Sequence, residues 1–253
     1  MLPLWEQRVA RQSAAFIRMA QVREETGGKG QILASLPPGG WNIAWVRDMA
    51  YAIVGMARAG HVAEAKEALT FIFERAQAGT YTDPKWGIGK PYRVSVCRYF
   101  GNGAEESDVT SAGPNIEFDG FGLMLWAIEE YVRASGDTAF LAAQEAAIFT
   151  ETADILAGLT DATGLIKADS SIWELHVDDD GYNGKRHFAY TSATASRGLT
   201  AAGYLAGQAG KPWTVYATAT AALKTAIGLQ LVDKDGVLVN FPPADRSPKP
   251  PEN

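Results

Sequence analysis

Apolar positions recur at helical spacing along most of the chain, and seven segments carry enough of this pattern to predict a helix. The predicted helices cover residues 4–25, 47–59, 62–78, 120–134, 138–159, 193–208 and 212–229. Glycines follow the first two segments, and Asp137 is a plausible N-cap for the fifth. The pattern therefore predicts an all-α chain whose helices are joined by elaborate loops.

The predicted helices alternate in character along the chain. The second, fourth and sixth are apolar or small on nearly all sides, which is typical of helices that are buried on most faces. The third and fifth carry a polar face, as helices on the outside of a domain do. We therefore expect a concentric arrangement in which inner helices are surrounded by outer ones.

Each of the three apolar helices is preceded by a polar segment that is rich in aromatic residues. These segments end near Asp48, Asp119 and Ser192, at intervals of about seventy residues. Long loops in a compact domain are usually functional. We therefore expect the three segments to meet at one end of a helical barrel and to form a site there.

The first segment holds a charged pair beside two tryptophans. Arg47 and Asp48 lie at a predicted helix N-terminus, where the helix dipole favours an acidic residue. A capping Asp next to a solvated Arg is one interpretation of this pair. The neighbouring Trp41 and Trp45 favour the other, a donor and acceptor for adjacent sugar hydroxyls with an indole as the stacking wall.

The second segment combines glycines, aromatic residues and acids ahead of the fourth helix. Asn115 and Glu117 are candidates for polar contacts in a sugar site, whereas Asp119 by itself could be a helix N-cap. The remaining acids of this segment are predicted to be solvated loop residues: Glu105, Glu106 and Asp108.

The third segment contains a tryptophan followed directly by a glutamate, Trp173 and Glu174. Apolar surroundings disfavour the ionised form of a carboxyl group, which suits a general acid that must hold its proton. The indole also offers a platform for a sugar ring. A Trp-Glu pair arises by chance too, and a tryptophan usually belongs to the core, so the pair gains weight from the other two segments.

Composition narrows the classes of function. The 253 residues are 47% hydrophobic and carry a net charge of −6 with no basic run, so we expect neither nucleic acid nor a membrane as a partner. Cys97 is the only cysteine, which excludes an intrachain disulfide and argues against a cysteine-based metal site. No phosphate-binding glycine loop or zinc motif is present, and we expect no metal and no cofactor.

The first residues lack the charged start and apolar core of a signal peptide, and no run is long and apolar enough to cross a bilayer. By default, we therefore expect a cytoplasmic location.

Three short segments together resemble a known family. WVRD (45–48), EFDG (117–120) and SIWE (171–174), each ahead of an apolar helix, are similar to the motifs of the glucoamylase-type glycoside hydrolases of family 15. The resemblance implies an (α/α)6 barrel that hydrolyses α-glucosidic bonds in glucans or oligosaccharides from the non-reducing end with inversion. It further implies that Glu174 is the general acid and that Arg47 and Asp48 hold hydroxyls of the terminal glucose. By the same resemblance, the residues that would line the pocket are Trp45, Asp119 and Trp173.

The resemblance also sets an expectation about length, because such a barrel needs six inner helices and the pattern predicts three. The family's general base is a glutamate on a later loop. We therefore expect residues 1–240 to be part of a catalytic domain, truncated or split, with 241–253 a disordered proline-rich tail. The missing carboxy-terminal half of the barrel would then be a partner. Two other functions stay open, an (α/α)6 glycoside phosphorylase and a non-catalytic carbohydrate-binding helical domain.

Overall fold

The computed structural model describes residues 3–36, 38–110, 113–174 and 184–245. Its α-helices are α1 (Leu4–Ala20), α2 (Val46–Arg58), α3 (Val62–Thr70), α4 (Asp119–Ser135), α5 (Thr138–Ala143), α6 (Glu145–Ile148), α7 (Asp154–Ala157), α8 (Ala189–Gln208) and α9 (Thr214–Gln230). Three two-residue strands, β1 (Ala44–Trp45), β2 (Arg98–Tyr99) and β3 (Glu105–Glu106), form a small antiparallel sheet. Within these residues, no helix has the length and apolar character needed to span a membrane.

The helical pattern is confirmed, but two predicted helices are interrupted. The third ends as a π-helical turn, Phe71–Arg75, after α3. The fifth is divided into α5, α6 and α7, with a second π turn at Phe149–Ala153. In that turn the hydroxyl of Thr152 donates to the backbone carbonyl of Ala147, 2.7 Å away. A side chain therefore binds one of the carbonyl oxygens of the helix.

The concentric arrangement is confirmed as well. The apolar helices α2, α4 and α8 pack side by side with α4 in the middle, while α3 covers α2 and α9 covers α8. The three inner helices run in the same direction. The first turn of α2 contacts the start of α4, and Arg58 at its end reaches Glu130 of α4, 2.7 Å away. Gly122 near the start of α4 meets Thr194 near the start of α8, and Arg133 near the end of α4 lies 3.6 Å from the ring centroid of Tyr204 in α8. The loops that precede the inner helices therefore share one end of the molecule.

Two glycines allow α4 and α8 to approach until their backbones touch. A Cβ on Gly198 of α8 would lie 2.3 Å from the Cα of Gly122 in α4, and a Cβ on Gly122 would lie 2.3 Å from the carbonyl oxygen of Thr194. Real side chains do not reach such distances, so this crossing requires glycine on both helices. The small residues of the sixth predicted helix thus serve close packing between inner helices.

The first residues of the predicted tail, 241–245, make contacts with the rest of the domain. Phe241 packs edge-to-face on Phe188 with ring centroids 5.9 Å apart. The imidazole of His187 lies between two carboxylates, with Nε2 2.7 Å from Asp161 and Nδ1 2.8 Å from Asp245. These contacts hold residues 241–245 against the start of α8, because they bury an aromatic ring and pair a histidine. The rest of the predicted tail, residues 246–253, lies outside the described residues.

The helix crossing leads to a paired prediction. Gly198→Ala should lower the free energy of unfolding by ~1–3 kcal/mol, because the new methyl group forces two backbones apart. Gly203→Ala, on the same helix, meets nothing within 4 Å and should instead stabilise the protein by up to about 1 kcal/mol through helix propensity. Urea unfolding of both variants measures the difference. Equal effects would show that the crossing imposes no steric limit.

Candidate active site

The small sheet aligns three side chains from separate segments. Trp45 of β1 is the cross-strand partner of Arg98 in β2, and Arg98 is the partner of Glu106 in β3. Directly opposed residues of neighbouring strands point to the same face of a sheet, so these three side chains form one row. The Arg98 guanidinium lies 4.9 Å from the centroid of the Trp45 ring and donates from Nε to Glu106.

Glu174 lies beside this row, at the end of the third loop. It follows a short 3₁₀ turn, and its φ of 53° places it in the left-handed region that non-glycine residues seldom adopt. Its Oε1 accepts a hydrogen bond from the indole Nε1 of Trp45 at 3.1 Å. Arg47 Nη2 is 3.9 Å from the same oxygen, and Arg98 Nη1 is 3.6 Å from Oε2. Two distant parts of the sequence, 45–47 and Arg98, thus converge on the carboxylate of Glu174.

A buried aspartate holds the loop that carries Glu174. The Asp169 carboxylate accepts hydrogen bonds from the backbone N–H of Phe118 at 2.9 Å and from the hydroxyl of Thr191 at 3.0 Å. Burial raises the pKa of Asp169 well above its ordinary value. Because Phe118 precedes α4 and Thr191 belongs to α8, Asp169 ties this loop to the starts of two inner helices.

Arg47 is held from behind by the second loop. Its Nη1 donates to Glu117 Oε2 at 2.7 Å and to Asp119 Oδ2 at 3.0 Å. Glu117 Oε1 accepts from Asn115 Nδ2 at 2.8 Å and from the thiol of Cys97 at 3.2 Å. Burial alone would lower the pKa of Arg47, but the charges of Asp119 and Glu117 raise it, so the guanidinium stays charged.

Three of the residues expected at the sugar site lie behind Arg47. Asn115, Glu117 and Asp119 were expected to contact sugar or line its pocket, yet each is almost fully buried beneath Arg47. Burial and the neighbouring charge of Asp119 raise the pKa of Glu117 to about 8, and burial raises the pKa of Asp119 as well. The three side chains therefore fix the position of Arg47 and leave its second nitrogen facing Glu174.

A cavity of about 290 Å³ lies in front of these groups. It is lined by Ala34, Trp41, Trp45, Arg47, Asp48 and Glu174. Trp41 is 65% exposed and packs edge-to-face on Trp45, with ring centroids 5.6 Å apart. Burial raises the pKa of Asp48. Two carboxyl groups, a fixed guanidinium and two indoles thus meet in one concave site, a combination suited to a polar ligand with apolar ring faces.

A second cavity of about 650 Å³ adjoins the first and shares Arg47 and Asp48 with it. It runs between α1 and α2 as far as Tyr51 and Tyr190, whose hydroxyl oxygens are 3.4 Å apart. Trp173, in contrast, is 60% exposed. The predicted residues Trp45, Arg47, Asp48 and Glu174 are therefore brought together, whereas Trp173 lies at the surface.

Sequence reasoning missed the acids of the small sheet. Glu105 and Glu106 were predicted to be solvated, but Glu105 accepts from the Tyr92 hydroxyl and the Val96 backbone N–H, each at 3.0 Å. Glu106 pairs with Arg98. The signal that could have found them is the Gly-Asn-Gly turn at 101–103, because such turns join paired strands and would have placed Arg98 opposite Glu106.

Solved structures with a similar fold act on carbohydrates. A glycosidase variant in complex with glucose aligns at a TM-score of 0.70 and 20% identity, covering 96% of this chain and 62% of that chain. A glucoamylase from Saccharomycopsis fibuligera aligns at 0.60 and 13% identity, covering 93% and 52%. The chain has part of an (α/α)6 toroid, the fold of these neighbours.

The similarity to solved structures extends to the fold and no further. A polysaccharide lyase also aligns, at a TM-score of 0.50 and 14% identity over 86% of this chain and 57% of that chain. No protein-family model matches the chain, and no curated protein sequence matches it. At these identities the likeness shows the fold alone, and the chain spans less than two thirds of the glycosidase's length.

The buried acid pair predicts a pH dependence of stability. The folded pKa of Glu117, about 8, lies above its ordinary value of 4.5, so the folded state binds a proton that the unfolded state releases. This contribution is complete below pH 4.5 and is lost as the pH rises toward 8. Glu117→Gln, which cannot ionise, should reduce the fall in unfolding temperature across that range.

His187 contributes to the pH dependence of stability with the same sign. Burial lowers its pKa, but the carboxylates of Asp161 and Asp245 raise the pKa by more, so the folded value lies above the ordinary one. His187→Gln is therefore the second variant to be measured. In a protein that carries His187→Gln, adding Glu117→Gln should still reduce the fall in unfolding temperature. Thermal unfolding followed by circular dichroism at several pH values makes the measurement. An identical pH profile in wild type and Glu117→Gln would contradict the prediction.

Proposed function

We propose that this protein is a glucoamylase-type glycoside hydrolase that cleaves α-glucosidic bonds of a glucan or glucose-containing oligosaccharide. By its resemblance to family 15, it acts from the non-reducing end with inversion. The observation that carries the proposal is the position of the Glu174 carboxylate, which faces a cavity together with Trp45, Arg47 and Asp48. Glycosidases of similar fold, one of them in complex with glucose, support it.

Glu174 acts as the general acid and protonates the glycosidic oxygen of the departing sugar. The indole N–H of Trp45 holds Oε1 in a fixed direction, which keeps the carboxyl oriented toward the cavity. Proton transfer needs this alignment, since a general acid must lie within hydrogen-bond reach of the oxygen that it protonates.

Arg47 and Asp48 recognise hydroxyl groups of the terminal glucose. The guanidinium is anchored through Nη1, so it presents its remaining donors in a fixed orientation, and Asp48 supplies acceptors beside it. Adjacent sugar hydroxyls match such a neighbouring donor and acceptor. The exposed face of Trp41 and, at the surface, Trp173 provide apolar area for sugar rings.

The buried acids have a supporting role in this proposal. Asn115, Glu117 and Asp119 act as positioning residues, since they touch Arg47 or one another and lie away from solvent. Burying a charged guanidinium is costly unless it is paired, and its hydrogen bonds to the carboxyl groups of Glu117 and Asp119 meet that requirement. Their contribution to sugar binding is therefore transmitted through Arg47.

We propose further that additional helical hairpins complete the toroid and supply the general base. Inversion needs a second carboxyl roughly 6.5–9.5 Å from the first, with a water molecule between it and the sugar. Both ends of the helical arc expose apolar surface. At one end α1 presents Leu4, Trp5, Val9, Phe16 and Met19. At the other, a groove of about 530 Å³ between α8 and α9 contains Tyr204 and Trp213.

The acid role predicts a large loss of activity on Glu174→Gln. In a polypeptide or complex that carries the full toroid, turnover of maltodextrin should fall by a factor of about 10²–10⁴, while glucan binding changes little. Glu130→Gln, at a carboxylate paired with Arg58 outside the cavity, is the matched control. Glucose release and isothermal calorimetry make the two measurements.

Several outcomes of that assay would redirect the proposal. Near-wild-type turnover of Glu174→Gln would remove Glu174 from the mechanism. Release of glucose phosphate only when phosphate is present would identify a phosphorylase instead. Glucan binding without any turnover would identify a carbohydrate-binding domain. Inversion itself is tested by NMR, since hydrolysis of an α-bond with inversion first yields β-glucose.

The exposed edges predict that residues 1–253 by themselves self-associate and release no glucose. Trp5→Glu combined with Met19→Lys should reduce this association, because the pair interrupts the apolar face of α1. Val109→Glu is the control, since Val109 is equally exposed but lies in a loop outside α1. Size-exclusion chromatography with light scattering reports the mass. A monomer of 27.1 kDa that releases glucose would overturn this prediction.

A further inference from the structure

We propose that Arg98 is a positioning residue for Glu174, and that its guanidinium, divided among three carboxylates, sets the pH range in which Glu174 holds its proton. The inference rests on the proposed role of Glu174 as general acid. It assigns a function to strands β2 and β3 of the small sheet, which lie outside the family motifs. Their acids, Glu105 and Glu106, were expected to be solvated.

The geometry around Arg98 is unusually complete for a side chain on a two-residue strand. Each nitrogen of its guanidinium faces a different carboxylate: Nε faces Glu106, Nη1 lies 3.6 Å from Glu174 Oε2, and Nη2 lies 3.5 Å from Asp108 Oδ1. Arg98 itself is nearly buried and covers the ring of Trp45. The planar fork of donors suits this division, which a lysine could not reproduce.

Each carboxylate oxygen of Glu174 therefore lies against a side chain from one row of the sheet. Trp45 donates to Oε1 and Arg98 lies against Oε2, while the pairing of β1 with β2 fixes the spacing between these two side chains. Glu106, the next member of the row, anchors Arg98 from the opposite side. The orientation of the carboxyl thus depends on strand register as well as on its own loop.

The charged groups around Glu174 have opposing effects on its protonation. A nearby guanidinium favours the ionised form of a carboxyl, whereas a general acid must carry a proton. Glu106 and Asp108 oppose this effect because they partly neutralise Arg98. Weakening Arg98 should let Glu174 keep its proton to higher pH, and weakening Glu106 should do the reverse.

Other groups contribute to the field around this cluster and stay constant in the test. On α2 and the segments beside the sheet they are Arg47, Asp48, Cys97 and Glu117. Arg47 already donates through its Nη1 to Glu117 and Asp119. Arg98 is therefore the cation near Glu174 whose charge is offset by an acid of the sheet, Glu106.

The indole N–H of Trp45 gives a direct readout, because it donates to Glu174 and should sense its proton. Its NMR resonance, assigned with Trp45→Phe, would be followed against pH in the full chain without substrate. We expect a titration that disappears in Glu174→Gln. The midpoint should rise in Arg98→Gln and fall in Glu106→Gln. Arg58→Gln, which removes a guanidinium at the far end of α2, should leave it unchanged.

Opposite shifts in Arg98→Gln and Glu106→Gln support the inference, because a merely structural role would not reverse its sign between the two. An unchanged midpoint in both, or an equal shift in Arg58→Gln, would overturn it. If circular dichroism shows that Arg98→Gln is unfolded, Glu106→Gln still decides the result. The NMR titration needs no hydrolysis and therefore tests the Arg98 inference on its own. Near-wild-type turnover of Glu174→Gln in the glucose-release assay would refute the proposed function even if the two shifts are observed.

Discussion

The guanidinium of Arg47, shared between the carboxylates of Glu117 and Asp119, is the interaction on which the candidate site depends. It joins the first turn of α2 to the start of α4 in a place that solvent barely reaches. Removing charges from water is costly, so such a cluster persists only when its geometry is good, and loss of one partner leaves an unpaired charge behind. The cluster therefore locks two inner helices in register and presents the free edge of Arg47 to the cavity.

Asp169 extends the same principle to the third inner helix. Its buried carboxylate binds the backbone before α4 and the hydroxyl of Thr191 in α8, which brings the loop of Glu174 to the end where the inner helices begin. The α4–α8 crossing through Gly122 and Gly198 then sets how closely these helices lie. Buried acids and close backbone packing thus place side chains from the first and third loops around one cavity. The small sheet adds Trp45 and Arg98, which lie against Glu174.

The fold by itself does not determine the reaction, since glycosidases and a polysaccharide lyase share it. The functional argument rests on the carboxylate of Glu174, the fixed guanidinium of Arg47 and the indoles beside them. The exposed apolar faces at both ends of the arc fit the same interpretation, because a closed toroid has no such ends.

The sequence by itself determined the helices and their inner or outer character, because hydrophobic periodicity is a local property that burial preserves. It also identified Trp45, Arg47, Asp48 and Glu174, since each stands in a short motif ahead of an apolar helix. Tertiary structure decided what lies behind and beside them. Asn115, Glu117 and Asp119 are buried beneath Arg47, Glu106 anchors Arg98, and Phe241 packs on Phe188. Strand register and contacts between distant segments set these positions, and neither leaves a periodic signal in the sequence.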